Sequence, residues 1–107
     1  MNVITNDTIK CPLALASLVN VIDPEIGLNV VDLGLIYQLD FDDDKRIVYV
    51  TMTLTTQFCP MGESITAAVK RVLEKTFEDY AVLLSLSFNP PWSYERISDE
   101  GKKILNR

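Results

Sequence analysis

Residues 35–54, LIYQLDFDDDKRIVYVTMTL, decide the fold. Leu35, Tyr37, Leu39 and Phe41 alternate on one face of a first strand, and Val48, Val50, Met52 and Leu54 on one face of a second, with Ile47, Tyr49, Thr51 and Thr53 opposite. Between them Asp42, Asp43, Asp44 and Lys45 make a solvated turn, so the two strands form an antiparallel hairpin. Residues 53–60, TLTTQFCP, then carry the second strand up to a proline suited to the first position of a helix. Beyond it Met61, Ile65, Ala68, Val69, Val72 and Leu73 recur at helical spacing on one stripe, which is core rather than a cofactor box. Over residues 81–88 Val82, Leu84, Leu86 and Phe88 share a face, so strand, helix and strand read as a right-handed crossover between parallel strands.

Before the hairpin, Leu15, Leu18, Val19 and Ile22 follow the spacing of an amphipathic helix, with Pro12 in its first turn. Asp23-Pro24 ends that helix, because a residue before proline avoids the helical region. Residues 27–34, GLNVVDLG, read as a loop entering the first strand. After Asn89, Pro90, Pro91 and Trp92 a short helix starts near Ser98, with Asp99 and Glu100 early and Lys102 and Lys103 late, as its dipole prefers. The order α-β-β-α-β-α predicts an α+β two-layer sandwich, with helices on one face of a small mixed sheet. Residues 1–107 form one domain, a length that buries about two thirds of the unfolded surface.

Composition excludes several classes of function. Ten basic and 15 acidic residues give a net charge of −5, which disfavours a nucleic-acid backbone or an anionic membrane as partner. No apolar run approaches the ~20 residues that span a bilayer, and the first residues lack the pattern of a secretory signal, so the expected location is the cytoplasm. The two cysteines, Cys11 and Cys59, are then expected as thiols. With no histidine, the Ser-His and Cys-His nucleophile pairs and the usual imidazole ligands are unavailable. A zinc site within one chain would need both sulfurs plus carboxylates, an uncommon set.

Cys59 stands out. It sits where an alternating segment meets the proline that opens a helical pattern, and a helix N-terminus presents unpaired N–H groups that favour thiolate. Thiolate is the form that binds metal and attacks electrophiles, so the Cys59 thiol is expected to titrate below the usual value of about 8.5, with Glu63 one turn along opposing the shift. A small buried cysteine at a helix start is the alternative.

The irregular stretches between these elements resemble a known family, the PaaD-like and SufT-like metal-sulfur cluster assembly domains. The resemblance spans residues 15–105 and rests on the order of several motifs: Asp23-Pro24-Glu25, then NVVDLGLIY over residues 29–37, then residues 52–55 with Cys59-Pro60, then Pro90-Pro91-Trp92 followed by Ser98. It implies a small factor in iron-sulfur protein maturation, not a conventional enzyme, with no catalytic residues. The family's reactive cysteine falls on Cys59, as metal or cluster ligand, and its acids fall on Asp23, Glu25 and Asp32. Thr55 and Thr56 can donate hydrogen bonds to a thiolate or sulfide, while threonine is also an ordinary strand residue. An Asp before proline is likewise a common turn former, and Asp32 can simply cap loop amides. Trp92 either covers the site or fills core space.

The chain departs from the family's pattern in places. Many relatives carry an acid where this chain has Asn89, and Cys11 lies outside the resemblance. The additional C-terminal cysteines of longer relatives in phenylacetyl-CoA oxygenase systems are missing, as is any P-loop glycine-lysine run. The resemblance therefore implies a transient iron or iron-sulfur cargo that need not survive purification, with iron-sulfur assembly proteins and apo clients as partners. Clusters normally use four protein thiolates, so one cysteine needs a second subunit, a client or a small thiol, and a homodimer through the Cys59 surface would supply two. Two other readings stand beside this one: an interaction adaptor docking through Pro90-Pro91-Trp92 and the acidic loop, and a thiol redox protein.

Overall fold

The computed structural model describes residues 3–55 and 62–105. Its elements are β1 (Ile4–Thr5), α1 (Lys10–Leu18), β2 (Ile36–Asp42), β3 (Ile47–Met52), α2 (Gly62–Thr76), β4 (Ala81–Leu86), a 3-10 turn (Tyr94–Arg96) and α3 (Asp99–Leu105). The sheet is four-stranded in the order β1-β2-β3-β4, with β1 parallel to β2, β2 antiparallel to β3 and β3 parallel to β4. This is the small mixed sheet of an α+β sandwich, with one more strand than the sequence predicts. β1 is too short to show a period. Asn6 extends it as a strand would, donating Nδ2–H to the Phe41 carbonyl at 2.9 Å and accepting the Phe41 amide at 2.8 Å. None of the helices among the described residues is long and apolar enough to cross a membrane.

The hairpin forms as read, with two corrections. Val48, Val50, Met52 and Leu54 are all buried, as are Leu39 and Phe41 opposite. Register shifts between Ile36 and Gln38, however, and Ile36 rather than Tyr37 pairs with Met52 in the core. A bulge inserts one extra residue and so flips the alternation, which leaves Tyr37 half-buried. At the tip, Asp43 is more than a solvated charge. It accepts hydrogen bonds from the Tyr80 hydroxyl and from Lys10 Nζ at 3.1 Å, tying the turn to the start of α1 and to the connection between α2 and β4. Phe41, Phe77 and Tyr80 stack edge-to-face beneath it.

α1 has Pro12 in its first turn, as read, but ends earlier than its apolar spacing suggests. Asp7 Oδ1 accepts the amides of Ile9 and Lys10, and the Asp7 carbonyl accepts that of Cys11, so the helix begins before Pro12. The buried stripe is Cys11, Ala14 and Leu18, whereas Val19 and Ile22 lie beyond the last turn and are exposed. Cys11 is therefore a small core residue. α2 buries Ile65, Val69 and Leu73, as its period predicts, and contacts both α1 and β4. In β4 Val82 is buried and Leu84 half-buried, while Leu86 is exposed because the sheet ends beside it.

Candidate functional site

The strand directions bring the motif-bearing stretches to one end of the sheet. β2 starts where β3 ends, since Ile36 pairs with Met52, and β4 ends there too, since Leu86 pairs with Met52. The loop over residues 21–35, the segment after β3 and the segment after β4 therefore meet. Backbone hydrogen bonds join them: Thr53 N–H donates to the Leu35 carbonyl at 2.8 Å, and Ser87 N–H to the Met52 carbonyl at 2.9 Å.

The first loop folds through its own polar side chains. Asp23 N–H donates to the Leu28 carbonyl at 2.9 Å, Gly27 N–H to the Asp23 carbonyl at 2.8 Å, and Ile22 bridges Asn29, so residues 21–30 make a small closed turn. Gly27 supplies the positive φ of 83° that this turn requires. The Asp23 carboxylate accepts the Glu25 amide at 2.9 Å and is only 1% exposed, whereas Glu25 is exposed. Asp23 thus holds the turn from within, and Glu25 faces solvent.

Asn29 starts a second unit. Its Oδ1 accepts the amides of Val31 and Asp32 at 3.0 and 2.9 Å, capping one helical turn that closes with Leu33 N–H on the Asn29 carbonyl. Its Nδ2 donates to Asp32 Oδ2 at 2.6 Å, and Ser98 Oγ donates to Asp32 Oδ1 at 2.8 Å. Ser98 Oγ in turn accepts the Gly101 amide at 3.0 Å as the cap of α3. Among the described residues, Asp32 caps no loop amide through its side chain. Its Oδ2 instead closes the loop on Asn29, and its Oδ1 joins the loop to the C-terminal segment.

That segment is fastened at three further points. Trp92 Nε1–H donates to the Leu33 carbonyl at 2.6 Å, Tyr37 hydroxyl donates to the Pro90 carbonyl at 2.9 Å, and the Arg96 guanidinium lies 4.4 Å from the Tyr37 ring centre. Trp92 packs half-buried against the core, so of its two readings space filling is the one the contacts support. Gly34 has a φ of 75°, and a Cβ there would collide with Arg96, which explains a glycine at the closest approach of the two segments. A cleft of about 560 Å³ runs beside this junction, bordered by Val31, Gly34, Arg96, Ser98 and Lys102. Asn29 and Arg96 were not singled out from the sequence. The Asn29-to-Asp32 spacing carried a capping signal that would have found the first.

Thr55 is half-buried just after β3. Cys59, the central candidate, lies outside the described residues, as do Thr56, Pro60 and Met61. The described ends of that stretch are held together, because Leu54 is buried against Gly62, where an added Cβ would stand 2.8 Å from Leu54 Cδ1. Among the described residues, no three or more cysteine, aspartate or glutamate side chains form a metal-holding group.

Comparison with known proteins bears on the family and the fold. Residues 13–83 match the model of a family described as "Iron-sulfur cluster assembly protein". The chain is 40% identical over 85 residues to the Fe-S protein maturation auxiliary factor SufT of Staphylococcus aureus, covering 79% of this chain and 96% of that protein. It is 36% identical over 91 residues to the Fe-S protein maturation auxiliary factor YitW of Bacillus subtilis, covering 85% and 88%. A solved structure of a domain of unknown function from Bacillus anthracis superposes with a TM-score of 0.83 at 38% identity, covering 89% of this chain and 90% of that one.

Proposed function

Because the chain belongs to the iron-sulfur cluster assembly protein family, we propose that it is an auxiliary factor of iron-sulfur protein maturation in the cytoplasm, and not itself an enzyme. The observation that carries this reading is the meeting, at one end of the sheet, of the loop that holds Asp23, Glu25 and Asp32 with the described residues after β3 and the segment after β4, tied together at Thr53 and Ser87. Iron or an iron-sulfur cluster is its cargo, passed between assembly proteins and apo clients. Cys59 makes the transient contact, and the remaining thiolates come from a partner, since clusters normally take four.

The acids divide by burial. Glu25 is exposed and suits contact with a partner, and Thr55 suits hydrogen bonding to a thiolate or sulfide. Asp23 and Asp32 serve by positioning, because their oxygens accept hydrogen bonds within the chain. The adaptor reading draws support from the exposed Pro90 and Pro91 beside the fastened Trp92. The redox reading loses support, since Cys11 is enclosed in the core.

In cells lacking the chain, iron-sulfur enzymes should lose activity while metal-free enzymes of the same pathways keep theirs, and resupplying the chain should restore them. Unchanged iron-sulfur enzyme activity under high cluster demand would contradict the proposal.

A further inference from the structure

We infer that the chain forms a two-fold dimer by pairing β4 antiparallel with β4 of a second copy, centred on Leu84. This goes beyond the maturation role and does not rest on it.

The two edges of the sheet are treated differently. On the β2 side, β1 and the Asn6 side chain occupy the ladder. On the other side β4 pairs only with β3 among the described residues. Its register runs without a shift from Ile47 opposite Ala81 to Met52 opposite Leu86, so no bulge twists the edge away. Nor does the strand AVLLSL hold a charge or a proline. The usual devices that keep an edge from pairing are therefore missing.

The direction of the amides selects the occupant. Ala81 N–H donates to Arg46 and Ser87 N–H to Met52, so in this parallel ladder the odd-numbered residues turn toward β3. Val82, Leu84 and Leu86 consequently present their N–H and C=O groups outward. These positions are symmetric about Leu84. An antiparallel copy sets Leu84 on Leu84 and Val82 on Leu86, each in a hydrogen-bonded pair, so a second copy satisfies the edge by symmetry. Charge points the same way: residues 81–94 carry none in a chain of net charge −5, which gives a charged partner nothing to complement there. Pairing would also cover Leu86, 46% exposed, beside Val82 of the second copy, and Leu83, 51% exposed, opposite its Ser85. An interface of one strand pair is small, below about 1,200 Å² in total, and so reversible.

Sedimentation equilibrium from micromolar to millimolar protein tests this. The apparent mass should climb from 12.1 kDa toward twice that value. Leu83→Lys, which sets a charge beside the axis, and Leu86→Pro, which removes an outward N–H, should each stay monomeric with unchanged far-ultraviolet circular dichroism. In the wild-type chain, exchange at the Val82, Leu84 and Leu86 amides should slow as concentration rises, while Leu83 and Ser85 exchange at a constant rate. Should Leu86→Pro fail to fold, Leu83→Lys and the exchange pattern decide. A mass of 12.1 kDa throughout, a dimer that survives Leu83→Lys, or concentration-independent exchange at the three amides would overturn the proposal.

Discussion

Asp32 illustrates how a residue that reads as a ligand can act as a fastener. Its carboxylate receives Asn29 on one oxygen and Ser98 on the other, joining two segments distant in sequence. Asp32→Ala would leave both donors without their acceptor and should cost about 1–3 kcal/mol of folding free energy in urea titrations. A loss near zero would contradict the fastening role. Asp43 makes a similar point at the far end of the sheet. The Tyr80 hydroxyl first, and Lys10 second, hold its carboxyl below the usual 3.8, while the Lys10 amide and side chain lower Asp7. A depressed pKa contributes stability that is present above the unfolded value and is lost as pH falls through the folded one. Tyr80 is raised above 10.0 by Asp43 and acts in the opposite sense, so the cluster stabilises between about 4 and 10. Thermal melts of Asp43→Asn should therefore lie below wild type at neutral pH and converge with it in acid. Parallel curves would contradict this. The distant partner of each carboxylate was not legible in the sequence, because Ser98 and Tyr80 lie 66 and 37 positions away.

At the scale of elements, periodicity was a good guide wherever one face met the core without interruption. Among the described residues α2 buries Ile65, Val69 and Leu73 while Ala68 and Val72 stay half-buried, and β3 buries Val48, Val50 and Met52. Reading failed where the frame shifted or stopped: α1 ends at Leu18, short of Val19 and Ile22, and the bulge in β2 hands the core position from Tyr37 to Ile36. Burial within an element then sets the cost of truncation. Leu73→Ala, at a fully buried site of α2, should destabilise the fold by about 2–5 kcal/mol, and Leu84→Ala on the half-buried edge strand by less than about 2. Equilibrium unfolding in dilute protein would show the ranking. A reversed order would mean that β4 is more deeply enclosed than its burial indicates.

For the whole molecule, the arrangement of strands brings the described parts of a linear set of motifs to one end of the sheet. The sequence showed which motifs were present and in what order, but their convergence depends on β2, β3 and β4 all having one terminus at the same sheet end. Asp23 looked like Glu25 in the sequence, and only the closed turn distinguishes the buried acid from the exposed one. The proposed role rests on Cys59, which lies outside the described residues. The decisive measurement is the activity of iron-sulfur enzymes in cells whose only copy of the chain is Cys59→Ser, at levels of folded protein matched to wild type. Serine is similar in size and suits a helix start, so folding should stay within about 1.5 kcal/mol of wild type. Activity should fall to that of cells lacking the chain, while Cys11→Ala, a core change, acts only through protein level. Full activity with Cys59→Ser would contradict the thiol's role and favour docking through the Pro90–Trp92 segment.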